Sequence, residues 1–237
     1  MKREVNTALQ NSAVFSMFSL KDRQHIMTLL KPSLFLPDEI IFQQGVIGNR
    51  LYLVQSGRVK VCVLDPEGAE LVFAFLSGGD ILGEMAVLDG GPRSATAVAV
   101  ENTKTLYIER TDFLKFLESS PTASKAMISM LSKRLRETDK HLEELTFLDV
   151  AGRIARRLLE TPNFTSPSDP GNKASYTWEI GQEELARMVG ASRVMVNKVL
   201  NSFVDLKLIT LGRKKLTILS QNGLDKIARF DKGLLNS

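Results

Sequence analysis

Residues 83–95 read Gly-Glu-Met-Ala-Val-Leu-Asp-Gly-Gly-Pro-Arg-Ser-Ala, and this run gathers the groups that can hold a small sugar phosphate. Glu84 stands nine residues before the pair Arg93 and Ser94. A carboxylate accepts from hydroxyls such as those of a ribose. An arginine offers a planar fork of donors that matches a phosphate, and a serine adds a hydroxyl. Gly83, Gly90 and Gly91 let main chain come close to a ligand and form an anion nest. Met85 lies inside the same run.

A second constellation lies in residues 182–203. Glu183, Glu184, Leu185, Ala186 and Met188 predict a first helix, Gly190 a sharp turn, and Ser192 the cap of a second helix. Ala186 is small enough for two helices to cross closely, and Val189, Val196, Val199 and Leu200 supply apolar contacts. The second helix then presents Arg193, Val194, Asn197 and Lys198 near its start, where side chains reach base edges in a DNA groove. Residues 209–219 read as a hairpin wing with Arg213, Lys214 and Lys215 at its tip, cations suited to phosphates.

These groups need scaffolds. From Leu34 to Ile108, short β-branched and aromatic runs alternate with glycines about every ten to twelve residues, the pattern of an antiparallel sandwich or barrel. Asp65-Pro66-Glu67-Gly68 is a turn, because proline presets φ and glycine supplies a positive one. Before the β region, residues 12–30 read as a short helical opening anchored by Phe15, Phe18, Leu20, Ile26, Leu29 and Leu30. After Pro121 the periodicity becomes helical. Ile128, Leu131, Leu135, Thr138, Leu142 and Leu145 are spaced 3, 4, 3, 4, 3, an a/d seam able to pair two copies of the chain. Asp149 can cap the next helix, which carries Ile154, Leu158 and Leu159. Residues 161–174, rich in Pro, Ser, Asn and Gly, read as an exposed loop. The expected organisation is 1–120 for the β-barrel ligand domain, 121–148 for the dimerisation helix and hinge, and 149–237 for the DNA-binding domain. The fold class is α+β.

Composition agrees with two joined modules. The chain has 237 residues, and the formal charge is +4. Residues 151–237 carry 14 Lys/Arg against 8 Asp/Glu, whereas residues 1–150 carry 17 against 19. A basic C-terminal part behind a mildly acidic one points to nucleic acid as one partner. One cysteine, Cys62, excludes an internal disulfide framework. No metal-ligand cluster, nucleophile–base pair or P-loop is present, so an enzyme is not expected, and no metal. No run of eighteen apolar residues predicts a membrane span, and no apolar segment follows the N-terminus as in a secretory signal. A cytoplasmic protein is expected.

Residues 83–95 resemble the phosphate-binding cassette of cyclic-nucleotide-binding domains. With the helical seam and the winged helix-turn-helix in this order, the chain resembles the bacterial Crp/Fnr transcriptional regulators from about Phe15 to Leu219. The likeness is closest to the cyclic-AMP receptor branch, on Leu-Thr-Phe-Leu-Asp-Val-Ala-Gly-Arg-Ile-Ala at residues 145–155. The resemblance implies that Gly83 contacts the ligand through its backbone, Glu84 the ribose, and Arg93 and Ser94 the cyclic phosphate. It implies that Arg134 meets this site from the helix and that Thr138 reads adenine across a homodimer. It further implies a palindromic operator in double-stranded DNA and RNA polymerase as a partner.

Two positions depart from the family. Asp139 replaces the serine that follows the seam threonine, and a carboxylate suits the paired N1–H and N2–H₂ donors of guanine. Cyclic AMP is the expected effector, with cyclic GMP the alternative and cyclic di-GMP a lesser one. Val194 replaces the glutamate usual in the reading helix. The remaining alternatives are the same fold with a degenerate pocket, and a nucleotide-sensing signalling module that does not act on DNA.

Overall fold

The computed structural model describes residues 2–64, 67, 70–160, 177–178, 181–212 and 215–229. Contacts divide the chain into two compact units, Met1–Arg136 and Glu137–Ser237. The first unit opens with α1 (Lys2–Asn11), a 3-10 turn (Phe15–Met17) and α2 (Leu20–Leu29). Eight strands follow: β1 (Lys31–Phe35), β2 (Ile40–Phe42), β3 (Arg50–Ser56), β4 (Val59–Leu64), β5 (Glu70–Leu76), β6 (Ile81–Leu82), β7 (Thr96–Ala99) and β8 (Thr103–Glu109). A short helix, α3 (Glu84–Asp89), interrupts them between β6 and β7, and α4 (Arg110–Ser119) leads into α5 (Pro121–Phe147). The second unit takes the end of α5, then α6 (Val150–Glu160), β9 (Thr177–Trp178), α7 (Gln182–Val189), α8 (Arg193–Asp205), β10 (Ile209–Gly212), β11 (Lys215–Ile218) and α9 (Gln221–Ala228).

The strands of the first unit form two antiparallel sheets, β1-β8-β3-β6 and β2-β7-β4-β5. Strand β3, Arg-Leu-Tyr-Leu-Val-Gln-Ser, is continuously apolar from Leu51 to Val54 because both of its faces are covered there. Side chains alternate across a strand. Leu51 and Leu53 point into a core with Phe15, Phe18, Ile26, Phe113 and Phe116 from the helices. Tyr52 and Val54 point the other way, into a core with Phe35, Ile41, Leu82, Ala97 and Ala99.

Two expectations change here. The helical opening begins earlier than residue 12, since α1 packs Ala8 and Leu9 into the first core. Its Val5, Ala8 and Leu9 follow a helical spacing that puts them on one face. Leu20 is no anchor: as the first residue of α2 it is 73% exposed, while Ser19 caps the helix by accepting from the Asp22 amide at 3.1 Å. Within the cassette, α3 occupies the first half. Of the turn at residues 65–68 only Glu67 is described, and the loop at 161–174 lies outside the described residues.

In the second unit, Ile154, Ala155 and Leu158 of α6 pack on Leu185, Val189, Val196, Leu200 and Phe203 of α7 and α8 and on Ile209 and Ile218 of the small sheet β10-β11-β9. Among the described residues, no helix is long and apolar enough to cross a membrane.

Candidate ligand site and candidate nucleic-acid interface

The cassette is built where β6 ends. Gly83 caps α3 with φ +80, a left-handed conformation that favours glycine. A Cβ there would lie 2.3 Å from Nη1 of Arg93, so the position needs glycine twice over. This close approach lets Arg93 Nη1 donate to the Gly83 carbonyl at 2.7 Å, while Nη2 donates to the Arg50 carbonyl at 2.6 Å. Arg93 is only 5% exposed, and burial pushes its pKa below the usual guanidinium value; Tyr52 and Glu84 act in the opposite direction. A cavity of about 330 Å³ lies beside the guanidinium, walled by Phe42, Tyr52, residues 46–50 and Glu109. Glu84 and Ser94 are not part of that wall.

Glu84, the first residue of α3, is 3% exposed and ion-paired with Nη1 of Arg134 from α5. Nη2 of the same arginine donates to the Ile81 carbonyl at 2.6 Å. A buried carboxylate is costly unless paired, so the pair also fixes where Glu84 sits. Ser94 is exposed, and its hydroxyl donates to the Met85 sulfur at 3.7 Å. The structure therefore brings Gly83, Glu84, Met85, Arg93, Ser94 and Arg134 into one neighbourhood. Thr138 and Asp139 follow on α5; both are exposed and belong to the second unit.

The sequence reading missed Phe42, Tyr52 and the Arg50 carbonyl. No spacing relates them to the cassette, since β2 and β3 reach it only through sheet pairing.

The second unit forms the expected helix-turn-helix. The residue capping the end of α7, Gly190, takes φ +60, and its N–H donates to the Ala186 carbonyl. The Ser192 hydroxyl accepts from the Met195 amide at 3.2 Å and so starts α8. Arg193 and Lys198 are exposed, Val194 is 80% exposed, and Asn197 is half-buried. Strands β10 and β11 pair antiparallel, with Gly212 opposite Lys215. Arg213 and Lys214 lie outside the described residues, so the structure places only the strands of the wing.

A polar clamp in this unit also escaped the sequence reading. Arg153 donates from Nε to the Val189 carbonyl and from Nη1 to the Leu148 carbonyl, both at 2.9 Å, and so ties the end of α7 to the start of α6. Asp149 caps α6 by accepting from the Gly152 amide at 2.8 Å. Glu144 is buried and paired with Arg156 at 3.3 Å, with His141 3.6 Å away. Burial, then Arg157, hold the His141 pKa below its ordinary value, with Glu144 acting in the opposite direction. The Asp149 cap is the one the sequence predicts, whereas Glu144 and Arg156 become neighbours only through the antiparallel return of α6 on the end of α5.

The geometry has counterparts in known proteins. The cyclic nucleotide-binding domain family matches residues 33–120, and the Crp-like helix-turn-helix domain family matches residues 152–227. The CRP-like cAMP-activated global transcriptional regulator of Mycobacterium tuberculosis is 32% identical over 200 residues, covering 84% of this chain and 89% of that protein. The crystal structure of the Thermus thermophilus catabolite activator protein is 32% identical, with a TM-score of 0.54 over 92% of this chain and 98% of that one. The c-di-GMP responsive global regulator CLP of Xanthomonas campestris shares the fold, with a TM-score of 0.73 at 24% identity over 85% of this chain and all of that one.

Proposed function

The chain belongs to the Crp/Fnr family of transcriptional regulators, and on that premise we propose that it is a homodimer whose operator binding is switched by cyclic AMP. It is a cyclic-nucleotide-binding regulator and not an enzyme. The observation that carries the ligand reading is the buried cassette network. Arg93 is held on two carbonyls with donors to spare for a phosphate, and Arg134 holds the Glu84 carboxylate in the same cassette, which supports a role for it toward the ribose. The M. tuberculosis relative, named as cAMP-activated, supports the choice of nucleotide.

In this reading Gly83, Glu84, Arg93 and Ser94 hold sugar and phosphate. Thr138 of the dimer seam holds the base. A ligand shifts an equilibrium only through contacts that differ between two states. Contacts made by the seam residues supply that difference, and the hinge at residues 147–152 re-aims the recognition helices. RNA polymerase is the partner of such a regulator when it activates.

Asp139 favours one second reading. Its two oxygens match the N1–H and N2–H₂ edge of guanine better than the single amine edge of adenine. Calorimetry with cyclic AMP, cyclic GMP and cyclic di-GMP distinguishes the two. Cyclic AMP is expected to bind tightest. A preference for a guanine nucleotide overturns cyclic AMP as effector and makes Asp139 the specificity residue.

Val194 sets an expectation for the operator. Valine cannot accept from cytosine N4 as glutamate does, but it packs on a thymine methyl, while Arg193 reads guanine through O6 and N7. Each half-site should therefore carry a GT core, altered at the base pair a glutamate would read, with half-site centres about 34 Å apart. A gel-shift series over that base pair should favour thymine. Equal affinity for all four bases there sinks this assignment.

A further inference from the structure

Arg93 is a buried cation whose hydrogen bonds both go to neutral carbonyls. Its Nε is buried without a hydrogen-bond partner. The neighbouring cation is compensated differently: Arg50 pairs with Glu109 at 3.0 Å and lies over the Tyr107 ring, so that carboxylate is already engaged. What lies under Arg93 is Phe42, with the guanidinium carbon 4.2 Å from the ring centroid. A cation over an aromatic face is attracted by the ring quadrupole, most strongly when water is excluded.

From this arrangement we infer that Phe42 is a positioning residue for ligand binding: its ring is the floor of a seat that aims the Arg93 guanidinium at the ligand phosphate. The Gly83 and Arg50 carbonyls are the walls of the seat. The backbone at Gly48 closes the remaining side, since a Cβ there would lie 2.3 Å from Nε. A guanidinium has five N–H donors. The carbonyls take one from each Nη, and one remains on each for an anion. Without the ring, the two carbonyls fix the plane only along one edge, and the fork can tilt. The inference rests on Arg93 being the phosphate ligand.

The experiment compares full-length wild type with Phe42→Tyr, which keeps the π face, and with Phe42→Leu and Phe42→Met, which fill space without one. Two readouts are taken. The first is the Arg93 Nε–H resonance, assigned by its disappearance in Arg93→Lys. It should lie upfield from the ring current in wild type and Phe42→Tyr and return toward ordinary values in Leu and Met. The second is cyclic AMP affinity by calorimetry, expected to fall roughly tenfold in Leu and Met, within the range of a cation–π contact, and less than about twofold in Tyr. Having two aliphatic variants guards against one failing to fold. An unmoved resonance in the aliphatic variants overturns the proposal, as does a Tyr variant that loses as much affinity as Leu. If wild type binds no cyclic nucleotide, the ligand reading fails by itself, and the resonance still decides whether the seat exists.

Discussion

Arg93→Ala is expected to abolish nucleotide-stimulated operator binding while leaving a folded, weakly DNA-binding protein. The side chain is almost completely buried at the end of a strand connection, with its donors directed by the Gly83 and Arg50 carbonyls. Hydrogen bonds to charged groups contribute about 1.5–3 kcal/mol each. A phosphate that uses both free Nη donors should therefore bind roughly 10²- to 10⁴-fold more weakly without them. Removing the guanidinium also leaves two carbonyls short of a donor, so the melting temperature should drop, and that drop is read separately from affinity. Arg93→Lys keeps the charge but not the fork, and lacks the planar match to phosphate. It should recover little of the loss. The check is a gel shift with and without cyclic nucleotide, alongside calorimetry. An Arg93→Ala protein that responds normally to ligand means the assigned pocket is wrong.

The legible and illegible parts of this protein separate along a physical line. Features set by residues close in sequence could be read directly. Gly190 and Ser192 announce a turn and a cap because both act on neighbouring backbone, and the structure forms α7 and α8 around them. Gly83, Glu84, Arg93 and Ser94 stand out because their types and spacing match one chemistry. The glycine-punctuated β pattern from Leu34 to Ile108 became two antiparallel sheets. Features made by chain segments that meet only after folding left no trace in the spacing. Phe42 lies 51 positions before Arg93 and reaches it only because β2 pairs with β7 at the edge of the cassette. Glu144 looks like one more solvated acid on a long helix, yet α6 folds back to bury it against Arg156. Leu20 erred the other way. Its apolar side chain fitted the expected core face, but the Ser19 cap sets the start of α2 so that the residue points outward. Local rules fix where elements begin; they do not fix what the return of the chain will cover.

Leu135→Glu combined with Leu142→Glu should turn the protein into a monomer and remove high-affinity binding to a palindromic operator. Ile128, Leu135 and Leu142 are 64%, 62% and 63% exposed on one helix, at the spacing of a coiled-coil seam. Burying a leucine fully is worth about 1.5–3 kcal/mol. In a two-fold dimer each substitution acts twice, because the same patch serves both copies. Each substitution also sets two carboxylates facing across the seam, where one of them must take up a proton or the helices must part. The combined loss exceeds several kcal/mol, more than a hundredfold in the dimerisation constant. The two recognition helices then bind half-sites independently, so the gain from engaging both at once disappears. Sedimentation should show one mass for wild type and half that mass for the variant, and a single half-site should bind both proteins about equally. Leu135→Ala with Leu142→Ala, which removes apolar area but adds no charge, should fall between the two. If the doubly charged variant keeps the wild-type mass, the exposed stripe is not what pairs the subunits, and base contacts from Thr138 across the dimer lose their structural basis.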